Sequence, residues 1–527
     1  MPIQGTQYGA GRMGGPPGRV IPNIRLRGGR RAQKAAANSN RKPWITRWGL
    51  SVGAFVALFA LALPSETSNG PGVTAAALYA LALTAVFQFA SSFGSAPAML
   101  LVILFGSAYG LQYGEAASQG AVLFGLSVTT DSIQSALLNL VAFLGVIVAV
   151  APLFDRAWTR LVKPSAENED PSRMTATAGL FILLAVSFGV ALQLGTWSQY
   201  GSKAGTADAG SFRIDFFYEP SLVSAFAITI DNLLRVHDGT LPASRKKGLY
   251  AILAGLALLL FMRQVRRVML FVLVMAALQA LARPRIARGL SDRPQRTLTV
   301  GALMAAILIA FLAASSAWRA SSQSLKTNDI GERLGDMGAH MEQVNGDTMS
   351  ESRKRFTYLW TDAAGVQYAD HFSGTLTMSK MLVGAFVGTI PGVIFPDKYM
   401  YSADACEASF ERIGMRGYDL ACTPVVEGLI AEGFPGILMV ALAWAPILGV
   451  AASYFRRRTA FGLAMFAHLM LPLITIESSA FPIFMSIRLA GMSAAFIAIC
   501  SIPRFVFPSL GPQANAPVRR FRAARTS

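Results

Sequence analysis

Apolar runs of roughly twenty residues recur along this chain between residues 48 and 502, parted by short basic turns. A bilayer core takes about 20 helical residues to cross, and segments inside it must satisfy their own backbone hydrogen bonds. A chain so written is expected to fold as a bundle of transmembrane helices. Twelve candidate spans can be read: 48–64, 73–91, 95–111, 132–154, 175–195, 217–234, 248–262, 268–282, 297–317, 425–452, 460–477 and 480–502. The second and third run close together, and the seventh and eighth are short. With 53% hydrophobic and 14% charged residues, the composition fits an integral membrane protein and excludes an ordinary soluble enzyme.

Charge then orients the spans. Residues 1–50 hold ten Lys or Arg and no acid, and five Arg with no acid follow Ile502, so both tails are expected in the cytoplasm. An even number of spans follows. The turns after even-numbered spans agree: Arg156, Arg160 and Lys163 follow the fourth, Arg245, Lys246 and Lys247 the sixth, five Arg within 283–296 the eighth, and Arg456, Arg457 and Arg458 the tenth. The expected organisation is a disordered basic tail over 1–47, spans one to nine over 48–317, an outer loop domain over 318–424, spans ten to twelve over 425–502 and a second basic tail over 503–527.

Several function classes fall away. The net charge of +18 suggests nucleic acid, but the Gly-Arg-rich stretch 9–42 lacks the interleaved aromatics of a single-strand binder and fits an anionic lipid surface better. No phosphate-cradling Gly-x4-Gly-Lys loop and no metal-ligand cluster appears, so neither an ATPase nor a metal site is expected, and no cofactor is implied. Residues 48–62 resemble a signal-peptide core ending in Ala60-Leu61-Ala62, yet the 47 residues ahead of it make an uncleaved first span the better reading. Of three cysteines, Cys406 and Cys422 share the long loop, where an oxidising compartment would join them.

That loop is where chemistry is expected. From Trp318 to Pro424 it carries thirteen acidic and ten basic side chains. Within it Thr375–Phe395 is apolar but broken by Pro391 and charged at Lys380; as a true crossing it would turn Arg456 to Arg458 outward, so a re-entrant or surface-lying helix is expected. A second departure lies at Arg263, Arg266 and Arg267, between two short apolar runs, which the flanking basic turns force to the outer surface. Either they snorkel from short helices, or they form an anion site, because arginine grips phosphate through forked, charge-assisted bonds.

Three strings stand in order in the loop: Arg353-Lys354-Arg355 leading to Trp360; Pro391-Gly-Val-Ile-Phe-Pro396-Asp-Lys398; and Tyr418-Asp419-Leu-Ala-Cys-Thr423-Pro424-Val-Val-Glu427, which runs into Ala431-Glu432-Gly433-Phe-Pro-Gly436. With these residues the chain resembles the O-antigen polymerase and ligase family, the Wzy-type polymerases of lipid-linked polysaccharides and their relatives. The likeness covers mainly residues 248–500. It implies many spans, a large late periplasmic loop, outward arginines, and metal-independent transfer of glycan from undecaprenyl pyrophosphate. A chain-length regulator and a flippase are the implied protein partners. Arg263, Arg266 or Arg267 and the Arg355–Trp360 pair match its arginine elements, while Asp419 and Thr423 stand where ligases carry a histidine, which favours polymerase over ligase.

The implied chemistry suits these residue types. A pyrophosphate leaving group gathers negative charge as the glycosidic bond breaks, and fixed cations offset it. Arg266 and Arg355 are therefore the expected catalytic cations, with Arg263, Arg267, Arg353, Lys398, Arg412, Arg416, Trp360, Thr423 and Arg488 binding substrate. Asp419, Glu427 or Glu432 would serve the attacking hydroxyl as base. His371, His340 and His237 read as surface residues and His468 as a packed or pore-facing one. Arg488 either pairs with Glu477 or joins the phosphate site. A ligase, a twelve-span flippase of lipid-linked sugars and a non-catalytic assembly scaffold stay open. The longest loop lies late and outside rather than central and inside, which argues against a transporter.

Overall fold

The computed structural model describes residues 42–64, 69–110, 113–123, 126–162, 169–194, 217–263, 266–281, 283, 358–372, 376–390, 395, 405–414, 422–474 and 481–506. Arg47–Ser527 form one compact unit, and of Met1–Thr46 only the start of the first helix is described. The helices are α1 (Lys42–Ala62), α2 (Gly70–Ser92), α3 (Ala96–Gly110), α4 (Tyr113–Gln119), α5 (Thr130–Leu161), α6 (Glu169–Leu194), α7 (Tyr218–His237), α8 (Lys246–Arg263) and α9 (Arg266–Leu281). After the loop's first half come α10 (Tyr358–Gln367), α11 (Ala369–Phe372), α12 (Met378–Thr389), α13 (Ala405–Arg412), α14 (Pro424–Arg457), α15 (Ala460–Leu473) and α16 (Phe481–Val506). Strands β1 (Ala121–Leu123) and β2 (Leu126–Val128) pair antiparallel ahead of α5.

The architecture is that of an all-α, multi-pass membrane protein. Among the described residues α2, α5, α6, α14 and α16 contain stretches long and apolar enough to cross a membrane, and the bent pair α3–α4 makes a sixth candidate. Twelve spans are not reached on that criterion: the apolar stretches of α1, α9 and α15 are shorter, and 297–317 lies outside the described residues. Short helices have a local cause. α15, for example, begins where Thr459 accepts a hydrogen bond from the Gly462 N–H, a cap that ends the preceding turn.

Small residues let the helices approach, as packing without a hydrophobic drive requires. A Cβ on Gly114 would sit 2.4 Å from the Gly72 carbonyl oxygen, and one on Gly449 2.5 Å from that of Ala151. Between α3, α5 and α14 the rings of Phe105, Phe143 and Trp444 meet with centroids 5.6 to 6.1 Å apart.

These contacts also set directions. α5 and α14 run parallel: Thr129 and Thr423 cap their starts, while Arg456 pairs with Asp155 and Arg457 donates to the Val162 carbonyl at their ends. α7 and α9 run parallel too, because Gln279 donates to the Ala227 carbonyl and Arg283 pairs with Asp231 at 2.5 Å and Asp238 at 2.6 Å. Both relations are the ones expected of pairs of even-numbered spans. Arg458 ends α14 in the left-handed region, φ 51°. Basic side chains thus gather at one end of these helices, and α10 joins the other.

Candidate functional site

At the end of α5 and α14 opposite the basic residues, the loop helix α10 packs against α3, α5 and α14. Its Asp362 is completely buried. Tyr109 near the end of α3 donates to one carboxylate oxygen at 2.5 Å, and Thr423 donates to the other at 2.5 Å. Loss of water on burial raises the Asp362 carboxyl to about 7, against the lowering effect of the two hydroxyl donors. One acid therefore ties together a helix from the first quarter of the chain, the loop and the start of α14.

Thr423 does two things at once. Its hydroxyl oxygen accepts from the Val426 N–H, capping α14, and its proton goes to Asp362. Neighbouring contacts fasten the same junction: Tyr109 stacks on Tyr358 at 6.2 Å, and Gln367 accepts from the Thr129 N–H and donates to the Ser127 carbonyl. Gly365 is pressed against Val426, where a Cβ would meet the valine methyl at 2.5 Å.

α14 is broken just beyond. Glu432 and Gly433 leave helical geometry, and Gly433 stands at φ 66°, ψ −150°, a conformation essentially reserved for glycine. The chain folds back closely enough that a Cβ on Gly436 would lie 2.0 Å from the Gly428 oxygen. A short first piece, from Pro424 to the break, thus precedes the long one, with half-buried Glu427 in its first turn, where the helix end favours negative charge. Glu432, at the break, is exposed.

Of the residues expected from the sequence, Trp360 lies on α10, and Thr423 and Glu427 stand at the start of α14, on which α10 packs. Trp360 and Thr423 are buried, so in this arrangement they hold the loop in place and present no open face. Arg412 is exposed at the end of α13, which packs on α11 and α14. Arg263 closes α8 and Arg266 and Arg267 open α9, as the expected turn requires, but their side chains lie outside the described residues, as do Arg353, Arg355, Lys398, Arg416 and Asp419 altogether.

Arg488 is found elsewhere. It donates at 2.5 Å to the Thr389 carbonyl at the C-terminal end of α12, where a cation suits the helix dipole; Glu477 lies outside the described residues. α12 itself is the apolar segment expected to lie along the membrane. Its 12 residues reach about 18 Å, short of a bilayer core of about 30 Å. It rests on α14 and α16, with Met378, Met381, Met439 and Ile483 lining a small apolar cavity of about 70 Å³. His371 and His237 are exposed, as expected, and His468 is fully buried.

Cys422, one residue before the α14 cap, is disulfide-bonded. The Cys406 side chain lies outside the described residues, though its helix α13 packs on α14. Among the described residues no group of three or more His, Cys, Asp or Glu could hold a metal ion. Asp362 escaped the sequence reading; its only signal was a lone acid in the otherwise uncharged run from Phe356 to Tyr368. No family model, curated protein or solved structure matches the chain.

Proposed function

We propose that this protein polymerises undecaprenyl-pyrophosphate-linked oligosaccharide repeat units into an exopolysaccharide, capsule or O-antigen at the periplasmic face of the inner membrane. The observation that carries the reading is the Asp362 junction. It supports a loop whose helix α10 is clamped onto the ends of α3, α5 and α14 instead of standing in a separate soluble domain. A lipid-borne substrate keeps its pyrophosphate at the membrane surface, so the groups acting on it must be fixed there. In this reading Asp362, Trp360 and Thr423 are positioning residues. Arg266 and Arg355 supply the fixed positive charge for the leaving pyrophosphate, and Asp419 or Glu427 takes the proton of the attacking sugar hydroxyl.

The test is purified protein in proteoliposomes with a lipid-linked repeat unit. A polymerase makes a ladder of lengthening products, a ligase needs a second acceptor lipid, and a transporter leaves every bond unchanged. Arg266→Ala and Arg355→Ala should each cost about 10²-fold or more in turnover at normal protein level, with Lys a poor substitute. Full-length polymer from both variants would refute the assignment of the arginines.

A further inference from the structure

The basic end of α5 reaches past the apolar layer. Its 32 residues make about 48 Å of helix, against a bilayer core of about 30 Å. The apolar run closes at Phe154, so the residues from Asp155 to Leu161 continue into the headgroup layer. Trp158 and Tyr454, with ring centroids 6.2 Å apart, mark the same level, since tryptophan and tyrosine favour the membrane interface.

The helical repeat sorts this segment into strips. Asp155 and Thr159 turn to α14, where the first pairs with Arg456 and the second meets Ser453 at 3.3 Å. On the opposite side, a turn of about 100° per residue gathers six exposed residues into an arc of about 160°. Arg156 and Arg160 form one edge of that arc. Leu153, Ala157, Leu161 and Phe154 fill the rest.

Charge is out of balance there. Asp155 is the only acid between residues 150 and 163, and it is buried and held by Arg456. At the same end of the bundle Arg283 is spent on Asp231 and Asp238, and Arg457 on the Val162 carbonyl. Arg156 and Arg160, by contrast, make no hydrogen bond or ion pair among the described residues. One turn apart, two like charges repel, and an anion lying between them would turn that repulsion into attraction. A phosphate suits the place, because each arginine can fork onto two of its oxygens and keeps its own proton.

We infer that this arc is a binding site for an anionic phospholipid of the leaflet at this end of the bundle. The phosphodiester lies between Arg156 and Arg160, and the acyl chains run back along Leu153, Phe154 and Ala157 towards the core. The order along the helix is that of a lipid molecule: apolar side chains at the edge of the core, then both cations within the next two turns. This inference does not rest on the glycan reading.

The full chain in non-ionic detergent is titrated with dioleoyl phosphatidylglycerol and, separately, with dioleoyl phosphatidylcholine, and bound lipid is read by native mass spectrometry. Wild type should prefer the anionic lipid. Arg156→Gln with Arg160→Gln should weaken phosphatidylglycerol binding about 25-fold, at about fivefold for each arginine near an anionic lipid, and leave phosphatidylcholine little changed. Arg245→Gln with Lys247→Gln removes the same charge from exposed positions elsewhere and should keep wild-type affinity. All four side chains are exposed, so both variants should stay monodisperse on size-exclusion chromatography. Three results would each overturn the site: equal binding of the two lipids by wild type, unchanged phosphatidylglycerol affinity in the first variant, or an equal loss in both variants, which would mean diffuse attraction to net charge.

Discussion

Asp362 offers the sharpest test of the junction, because its burial makes a signed prediction about pH. Its folded-state value is near 7 against an ordinary 3.8, so the folded protein holds this proton more tightly than the unfolded chain. The burden of burying the charge is complete above pH 7, eases as pH falls through 7, and is gone below the ordinary value. By linkage it amounts to about 4 kcal/mol at pH 7 and about 2 kcal/mol at pH 5. Acidification over that range should therefore add about 2 kcal/mol of stability from this one group. Asp362→Asn removes the charge, and leaves one of the two hydroxyls, Tyr109 or Thr423, without its acceptor at a cost of about 1–3 kcal/mol. The variant should be no less stable than wild type at pH 7 and should lack the acid-dependent gain. Thermal unfolding in detergent micelles, followed between pH 5 and 7.5, would show a rise of a few degrees on acidification in wild type only. Parallel pH profiles for the two proteins would refute a charged, buried Asp362.

Three further outcomes follow from contacts already described. Gly436→Ala should abolish folding of the α14 break, read as loss of monodisperse protein on size-exclusion chromatography, because the new methyl would overlap the Gly428 carbonyl at 2.0 Å; normal yield would refute the close approach. Arg283→Ala should destabilise by about 3–5 kcal/mol by breaking the ion pairs with buried Asp231 and with Asp238, whereas Arg283→Lys should recover part of the loss; denaturant titration distinguishes them. Cysteine at the exposed positions His371 or Lys380 should react with an impermeant thiol reagent in intact spheroplasts, while Gly365→Cys should not express well because its side chain would strike Val426; labelling of the first two only after lysis would reverse the sidedness.

Charge bias made helix direction readable, and the reason is visible in particular pairs. Arg456 and Arg283 meet Asp155, Asp231 and Asp238 at the ends that basic turns had marked. The end of α12 was equally legible: a proline at 391 disfavours helix in the residue before it, and Ile390 is indeed extended at ψ 133° just before it. Trp360 and Thr423 could be singled out by local strings. The carboxylate joining them could not, since its partners lie 253 and 61 residues away and nothing local announces them. The same limit hid the contact of Ser224 with His468, single polar letters in apolar runs that lie 244 residues apart. Hydropathy marked more spans than the described helices reach by length and apolar composition, five or, with the bent pair, six.

The parallel pairing of α5 with α14 bears on biogenesis. Asp155 and Arg456 are 301 residues apart in the chain. At synthesis rates of about 5–20 residues per second, α5 is inserted roughly 15 to 60 seconds before the helix that completes it. A soluble protein could not leave such an apolar flank bare for that time without risking aggregation, but lipid solvates it as well as a helix does. The nascent chain can therefore wait in the bilayer with its centre unfilled, and the last quarter of translation supplies the wedge that locks both ends.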